Sequence, residues 1–90
     1  MSDYCQQVTI CNRLGLHVRA ASKLAQLATR FDATVIISHQ HQQVNAKNIL
    51  DLLMLGCGHG AKLHICSDGH EAQKALQAIC QLIENRFNEE

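Results

Sequence analysis

The residues of this chain best suited to chemistry surround His17. Gly15 and His17 lie in the segment 12–21. From Val18 onward Ala, Leu, Lys and Gln dominate, and these residues are strong helix formers. We therefore expect a sharp turn at Gly15, which can adopt positive φ, and a helix that begins just after His17. Such a helix end attracts anions through its unpaired backbone N–H groups, here those of Val18 and Arg19. The imidazole, the helix end and the Arg19 guanidinium together form a candidate binding site for a phosphoryl group.

Six histidines and five cysteines raise a metal site as an alternative. Cys57 and His59 are separated by one residue, and His64 and Cys66 follow nearby. Structural zinc sites usually show paired ligands at short spacing, and a single Cys-x-His pair falls short of that pattern. We therefore predict no metal and no cofactor for this chain.

Composition limits the remaining possibilities. Ninety residues predict a single domain spanning 1–90, and 47% hydrophobic against 18% charged residues is typical of a folded chain. The net charge of zero argues against nucleic-acid binding. No apolar run reaches the roughly 18 residues of a membrane span, and the first residues lack a signal-peptide pattern. We expect a cytoplasmic monomer with no membrane insertion, in which the odd number of cysteines stays reduced.

Hydrophobic periodicity divides the chain into elements in the order β-α-β-β-α-β-α. The strands are expected at 4–11, 33–38, 43–46 and 61–66, and the helices at 18–29, at 47–55 and from an Asp68 N-cap to near Phe87. Cys66 and Cys80 fall at or near core positions, and residues 85–90 are expected to fray. The pattern predicts an α+β fold, an open-faced β-sandwich with a four-stranded antiparallel sheet and three helices on one face.

Several short segments along the chain form a recognisable set: Gly15-Leu16-His17-Val18-Arg19, Phe31, Ala46-Lys47-Asn48-Ile49, Gly60 and Ser67-Asp68-Gly69. Through them the chain resembles, over essentially its full length, the HPr family, the histidine phosphocarriers of the bacterial phosphotransferase system. Within the family, Leu53-Met54-Leu55 and the Asn85-Arg86-Phe87 ending are most similar to the nitrogen-branch members. The resemblance implies an HPr-like fold and a phosphoryl-transfer intermediate rather than a turnover enzyme.

The resemblance also implies particular roles. His17 would be the phosphoacceptor, taking the phosphoryl group from phosphorylated enzyme I on its δ nitrogen and passing it to an enzyme IIA, and Arg19 would be its charge partner. The second helix would supply an apolar docking surface beside the histidine. This is consistent with its composition, because a small domain cannot bury so many apolar residues of one short helix. The residues expected at this surface are Ala20, Lys47, Asn48, Ile49, Leu50, Leu53 and Met54.

Two departures from the family pattern bear on these expectations. Ala20 stands where many members have proline, which pre-organises a helix start. Asn48 stands where some members carry a regulatory serine, so phosphorylation at that position is excluded. Three alternatives stay open: a carbon-branch HPr that feeds sugar uptake, a regulatory binding module acting in its unphosphorylated form, and a metal or redox module.

Overall fold

A computed structural model describes residues 3–89 of the chain. Within this range the strands are β1 (Tyr4–Thr9), β2 (Thr34–His39), β3 (Gln42–Asn45) and β4 (Lys62–Asp68). The helices are α1 (Val18–Ala28), α2 (Ile49–Met54) and α3 (Ala72–Glu84), and a short turn over Arg86–Asn88 follows. The predicted order of elements and fold class are confirmed, with boundaries that differ by one to a few residues.

The four strands of the described range form one antiparallel sheet in the order β1-β4-β2-β3. Alternation along the strands separates its two faces. On β4, Leu63 and Ile65 are fully buried beneath the helices, whereas Lys62 and His64 are exposed on the opposite face. Helix α3 packs on β1, β4 and β2, and α1 packs on α2 and α3. The sheet therefore has one face covered by helices and one open face, as predicted for an open-faced sandwich.

Helix α1 is held by small side chains. Ala20, Ala21 and Ala28 are fully buried and Ala25 is nearly so, with Leu24 the one large side chain that the helix buries completely. Because alanine occupies so little space, the helix can approach its neighbours closely. The beginning of α1, which carries His17, is fixed by this packing.

The start of α3 differs from the prediction. Asp68 ends β4 instead of capping the helix, and Glu71 is the residue before the first turn of α3. Glu71 makes no side-chain cap; its carboxylate accepts a hydrogen bond from the Asp32 N–H (2.8 Å), and its own N–H donates to the Asp32 carbonyl (2.9 Å). The predicted Asp68 cap is wrong because β4 continues two residues past its expected end, to pair Asp68 with Thr34.

The end of α3 also departs from expectation. The predicted fraying is wrong for residues 85–89, because Phe87 is completely buried and anchors the segment. Arg86, Phe87 and Asn88 all adopt positive φ, at 58°, 55° and 60°, so the chain makes a left-handed turn back toward α1. Such backbone is unfavourable by about 1–2 kcal/mol for each residue with a Cβ. Burial of the large aromatic ring offsets this cost.

Cys5 and Cys66 form a disulfide between β1 and β4. The two residues are 61 positions apart in sequence but lie directly opposite each other in the strand register, with their Cα atoms 4.1 Å apart. The prediction that the cysteines are all reduced is wrong for this pair. Cys66 also lies on the open face of the sheet instead of in the core, whereas Cys80 is buried as predicted. Strand register, which spacing along the chain does not reveal, decides the pairing.

Candidate functional site

A tight loop delivers His17 to the beginning of α1. Its first residue, Asn12, is fully buried, and its side-chain amide donates to the Gly15 carbonyl (2.7 Å). Gly15 adopts φ +70°, as its place before the histidine predicted. The next residue, Leu16, is buried and its N–H donates to the Cys57 carbonyl (2.9 Å). The loop is thus held on one side by its own side chain and on the other by the loop that follows α2.

His17 is the N-cap residue of α1. Its backbone is extended (φ −82°, ψ −177°), and its carbonyl accepts the first helical hydrogen bond, from the Ala21 N–H (2.8 Å). Its ring serves as the side-chain cap, because Nδ1 accepts a hydrogen bond from the Arg19 N–H at 3.2 Å. The side chain keeps 27% of its surface accessible. Nδ1 therefore faces the positive end of the helix dipole, where an anion would be favoured.

The other ring nitrogen of His17 meets a carboxylate from the far end of the described chain. Nε2 is hydrogen-bonded to Glu89, 72 residues away in sequence, and Glu89 also accepts a hydrogen bond from the Asn12 amide (3.0 Å). The left-handed turn brings Glu89 here, and Lys23 fastens that turn by donating from Nζ to the Phe87 carbonyl (2.6 Å). Partial burial acts to raise the pKa of Glu89, but hydrogen bonds from His17 and Asn12 and the nearby positive charges lower it overall.

These contacts determine where the ring proton sits. A backbone N–H can only donate, so Nδ1 must hold its lone pair toward the Arg19 N–H. The ionised Glu89 can only accept, so the proton resides on Nε2. The neutral ring therefore presents a nucleophilic lone pair on Nδ1, and a carboxylate lies beside Nε2 to stabilise positive charge that develops when Nδ1 bonds to an electrophile.

Positive side chains border the histidine. Arg13, Arg19 and Lys23 line the same open cleft as His17, and Glu89 is the carboxylate on its wall. Arg19 is exposed, as expected of a side chain that can reach a group attached to the ring. The cleft combines a nucleophilic nitrogen with cationic groups that can balance a phosphate dianion.

Exposed apolar side chains lie on α1 and on α2, two helices that pack against each other. Val18 is 65% exposed, Leu50 67% and Met54 71%, and Ile49 is partly exposed. Leu53 is half-buried, whereas Leu52 of the same helix is completely buried, so α2 has one core-facing side and one solvent-facing side. Asn48 caps α2 by accepting a hydrogen bond from the Asp51 N–H (3.1 Å), and Lys47 is exposed beside it.

Ala20 departs from its expected place. Its methyl group is completely buried against the core, so it cannot form part of an exposed docking surface. The helical turn between Val18 and Ala21 directs this side chain inward, and that orientation depends on how α1 is rotated against α2 and α3. We correct the predicted set of docking residues by removing Ala20.

The Cys57–His59 pair is not brought together with other metal-binding side chains. Cys57 is buried beneath the loop after α2, its thiol lies 3.9 Å from the Leu55 carbonyl, and burial raises its pKa. Among residues 3–89, the group whose ligand atoms converge is a different one: Cys5, His64 and Cys66, on the open face of the sheet.

Two features of this site were missed by the sequence analysis. Asn12, which ties the loop to Glu89, could have been noticed as an Asx residue that opens a turn three residues before Gly15. No local sequence pattern predicts that Glu89 reaches His17, because its position depends on the burial of Phe87 and on the left-handed turn around Phe87. No helix within residues 3–89 is long and apolar enough to cross a membrane.

Comparison with known proteins gives the class to which this fold and site belong. The profile of the PTS-HPr family, described as the PTS HPr component phosphorylation site, matches residues 4–85. The chain belongs to the HPr family, and it is an HPr-type phosphocarrier of the phosphotransferase system.

Individual relatives agree over nearly the whole chain. The phosphocarrier protein NPr of Shewanella violacea is 48% identical over 89 residues, which cover 99% of this chain and 98% of the relative. The phosphocarrier protein HPr of Cupriavidus necator is 44% identical, covering 93% and 94%. A crystal structure of HPr from Thermoanaerobacter tengcongensis superposes with a TM-score of 0.91 at 31% identity, covering 100% of this chain and 99% of that one.

Proposed function

We propose that His17 carries a phosphoryl group on Nδ1, accepted from phosphorylated enzyme I and passed on to an enzyme IIA in the cytoplasm. The observation that carries this proposal is the state of the ring: Nδ1 holds its lone pair at the beginning of α1, and Nε2 is engaged by Glu89. A nitrogen that is both nucleophilic and placed at an anion-binding helix end is what reversible phosphoryl transfer requires.

The transfer follows from these contacts. The Nδ1 lone pair attacks the phosphorus of the donor phosphohistidine, the new N–P bond forms, and the N–P bond to the donor breaks. The His17 ring then has substituents on both nitrogens and bears positive charge, which the Glu89 carboxylate stabilises through Nε2. The Arg19 N–H, which donates to Nδ1 in the free protein, becomes available to a phosphoryl oxygen, together with that of Val18. Onward transfer to the acceptor reverses these steps.

The protein supplies little beyond this, and partner docking supplies the rest. We propose that the docking surface consists of Ile49, Leu50, Leu53 and Met54, flanked by Val18 and with Lys47 and Asn48 at its edge. Val18 lines the same cleft as His17 and the cationic side chains, and α2 packs against α1, so this surface suits brief encounters with partners that present an apolar patch next to a phosphohistidine. A small docking surface favours rapid release, which a relay between two partners needs.

We further propose that the chain works in the nitrogen branch. The NPr relative supports this, since it matches with higher identity than the HPr relatives described above. The carbon-branch alternative predicts faster phosphorylation by the enzyme I of sugar uptake. A protein that acted only in its unphosphorylated form would keep its biological activity when His17 is removed.

The decisive experiment measures intact mass after incubation with phosphoenolpyruvate and enzyme I. We expect one acid-labile phosphoryl group on the wild-type chain and on His59→Ala, an exposed histidine outside the site, and none on His17→Ala. Phosphorylation of His17→Ala at the wild-type rate would refute the assignment. Parallel reactions with the enzyme I of each branch decide between them, and a faster rate with the sugar-branch enzyme would refute the nitrogen-branch proposal.

A further inference from the structure

The open face of the sheet carries a group of side chains that phosphoryl transfer does not use. Cys5 on β1 and Cys66 on β4 are directly opposite in register, and His64 lies two residues before Cys66 on the same strand. Because side chains alternate across a strand, His64 and Cys66 project from the same face. The two sulfur atoms and a ring nitrogen of His64 all lie within 4.8 Å of one another.

This arrangement matches the donor set of a thiophilic metal. Zinc binds cysteine sulfur at about 2.3 Å and histidine nitrogen at about 2.0–2.1 Å in a tetrahedron, which places neighbouring ligand atoms about 3.5–3.8 Å apart. The separations around Cys5, His64 and Cys66 are compatible with that geometry after a small outward movement of the sulfurs, once they are no longer bonded to each other. Two thiolates and one imidazole also form a recognised zinc ligand set with an open fourth position.

We propose that Cys5, His64 and Cys66 form a redox-gated metal site, closed as a disulfide and able to bind one zinc ion when reduced. A dithiol reductant opens it: the disulfide accepts two electrons and two protons and becomes two thiols, while the reductant becomes a disulfide. Zinc then displaces one proton from each thiol and takes the neutral His64 nitrogen as third ligand, with water in the fourth position. The two sulfurs cannot be a disulfide and zinc ligands at once, so oxidation releases the metal.

The position of this site makes it accessible and separate from the phosphoryl-transfer site. β1 is an edge strand, Cys5 and His64 are exposed, and Cys66 is half-buried. The cluster lies near the start of β1 and on the open face, whereas His17 follows the end of β1 and lies at the helix-covered side. A metal ion can therefore bind without occupying the cleft around His17.

Cobalt provides a direct test, because thiolate-bound tetrahedral Co²⁺ absorbs strongly and zinc displaces it. The full-length protein is reduced with a phosphine, which is then removed under anaerobic conditions, and titrated with Co²⁺ and then Zn²⁺. We expect one Co²⁺ per reduced chain, none per oxidised chain, and full displacement by one Zn²⁺. Cys5→Ser and His64→Gln should each weaken binding by at least about 10–100-fold, because loss of a ligand costs no less than loss of a group that only orients a ligand.

The matched controls are Cys11→Ser and His59→Gln, which remove a cysteine and a histidine from outside the cluster and should bind cobalt as the wild type does. Circular dichroism confirms that each variant is folded. Absence of thiolate-to-cobalt absorption in the reduced wild type overturns the proposal, as does unchanged binding by Cys5→Ser and His64→Gln. Phosphorylation of His17, measured on the same samples, reports separately on the phosphoryl-transfer site.

Discussion

Replacing Gly15 with alanine tests how the loop positions His17, the proposed phosphoacceptor. Gly15 has φ +70°, and a Cβ added there would lie 2.6 Å from the Cys57 carbonyl oxygen and 2.7 Å from the Gly58 Cα. The positive φ costs about 1–2 kcal/mol for a residue with a Cβ. The collision is with backbone, which cannot rotate away as a side chain can, and overpacking of this kind costs a further 1–3 kcal/mol or so. We expect Gly15→Ala to lower the free energy of unfolding by about 2–5 kcal/mol.

Gly56 provides a matched control. It has nearly the same φ (+65°), but a Cβ placed there has no neighbour within 4 Å. Gly56→Ala therefore carries only the conformational cost of about 1–2 kcal/mol. Both substitutions reduce the freedom of the unfolded chain equally, so that contribution cancels in the comparison. The difference between the two variants isolates the close approach of the loop around Gly15 to the loop after α2.

Urea denaturation of both variants measures these free energies, and the rate of phosphorylation by enzyme I measures the site. We expect Gly15→Ala to be less stable than Gly56→Ala by about 1–3 kcal/mol and to accept phosphate more slowly, because displacing the loop moves the histidine away from the helix end. A chain of this length has a total stability of roughly 5–14 kcal/mol, so the difference is easily measured. Equal stability of the two variants would refute the reasoning.

Three further substitutions test the site and the docking surface. Glu89→Gln should make the phosphorylated carrier less favourable by about tenfold at equilibrium with its donor, since it removes the carboxylate beside the charged ring. The pKa of Glu89 is lowered in the folded protein, so the carboxylate stabilises the fold at neutral pH and this contribution is lost as the pH falls through the lowered pKa. The free energies of unfolding of the wild type and Glu89→Gln should therefore converge in acid, and a constant difference would contradict this. Arg19→Glu should slow phosphoryl transfer about tenfold or more, because it reverses a charge beside the phosphate. Arg30→Glu, just past the other end of the helix, should leave the rate unchanged, and equal rates for the two variants would remove Arg19 from the site. Leu50→Glu should raise the KM for enzyme I by introducing charge into the apolar surface, while Tyr4→Glu on the edge strand should not, and matching KM values would place docking elsewhere.

The sequence was sufficient for the parts of the fold that local patterns determine. Alternating residues predicted β1 and β4, and the spacing of Ala21, Leu24 and Ala28 predicted the buried side of α1. The turn at Gly15 and the N-terminal place of His17 followed from glycine conformation and helix propensity. These features depend on neighbours within about one helical turn, which a single sequence reveals.

The sequence was insufficient where distant segments meet. The hydrogen bond between Glu89 and His17 spans 72 residues and depends on three consecutive residues with positive φ, a conformation that arginine and phenylalanine rarely adopt. The disulfide between Cys5 and Cys66 depends on the register of two strands. The burial of Ala20 depends on the rotation of α1 about its axis. In each case tertiary packing decides an outcome that local propensity leaves open.

The alanines of α1 have a consequence for the accuracy of the relay. A methyl group has no rotamers, so Ala20, Ala21, Ala25 and Ala28 lose no side-chain entropy when α1 packs. These four positions also have no alternative side-chain arrangements that could let the helix axis shift. In the proposed relay two different partners must meet Nδ1 of His17 in the same place, and a helix packed mainly through alanines keeps that atom in a fixed position from one encounter to the next.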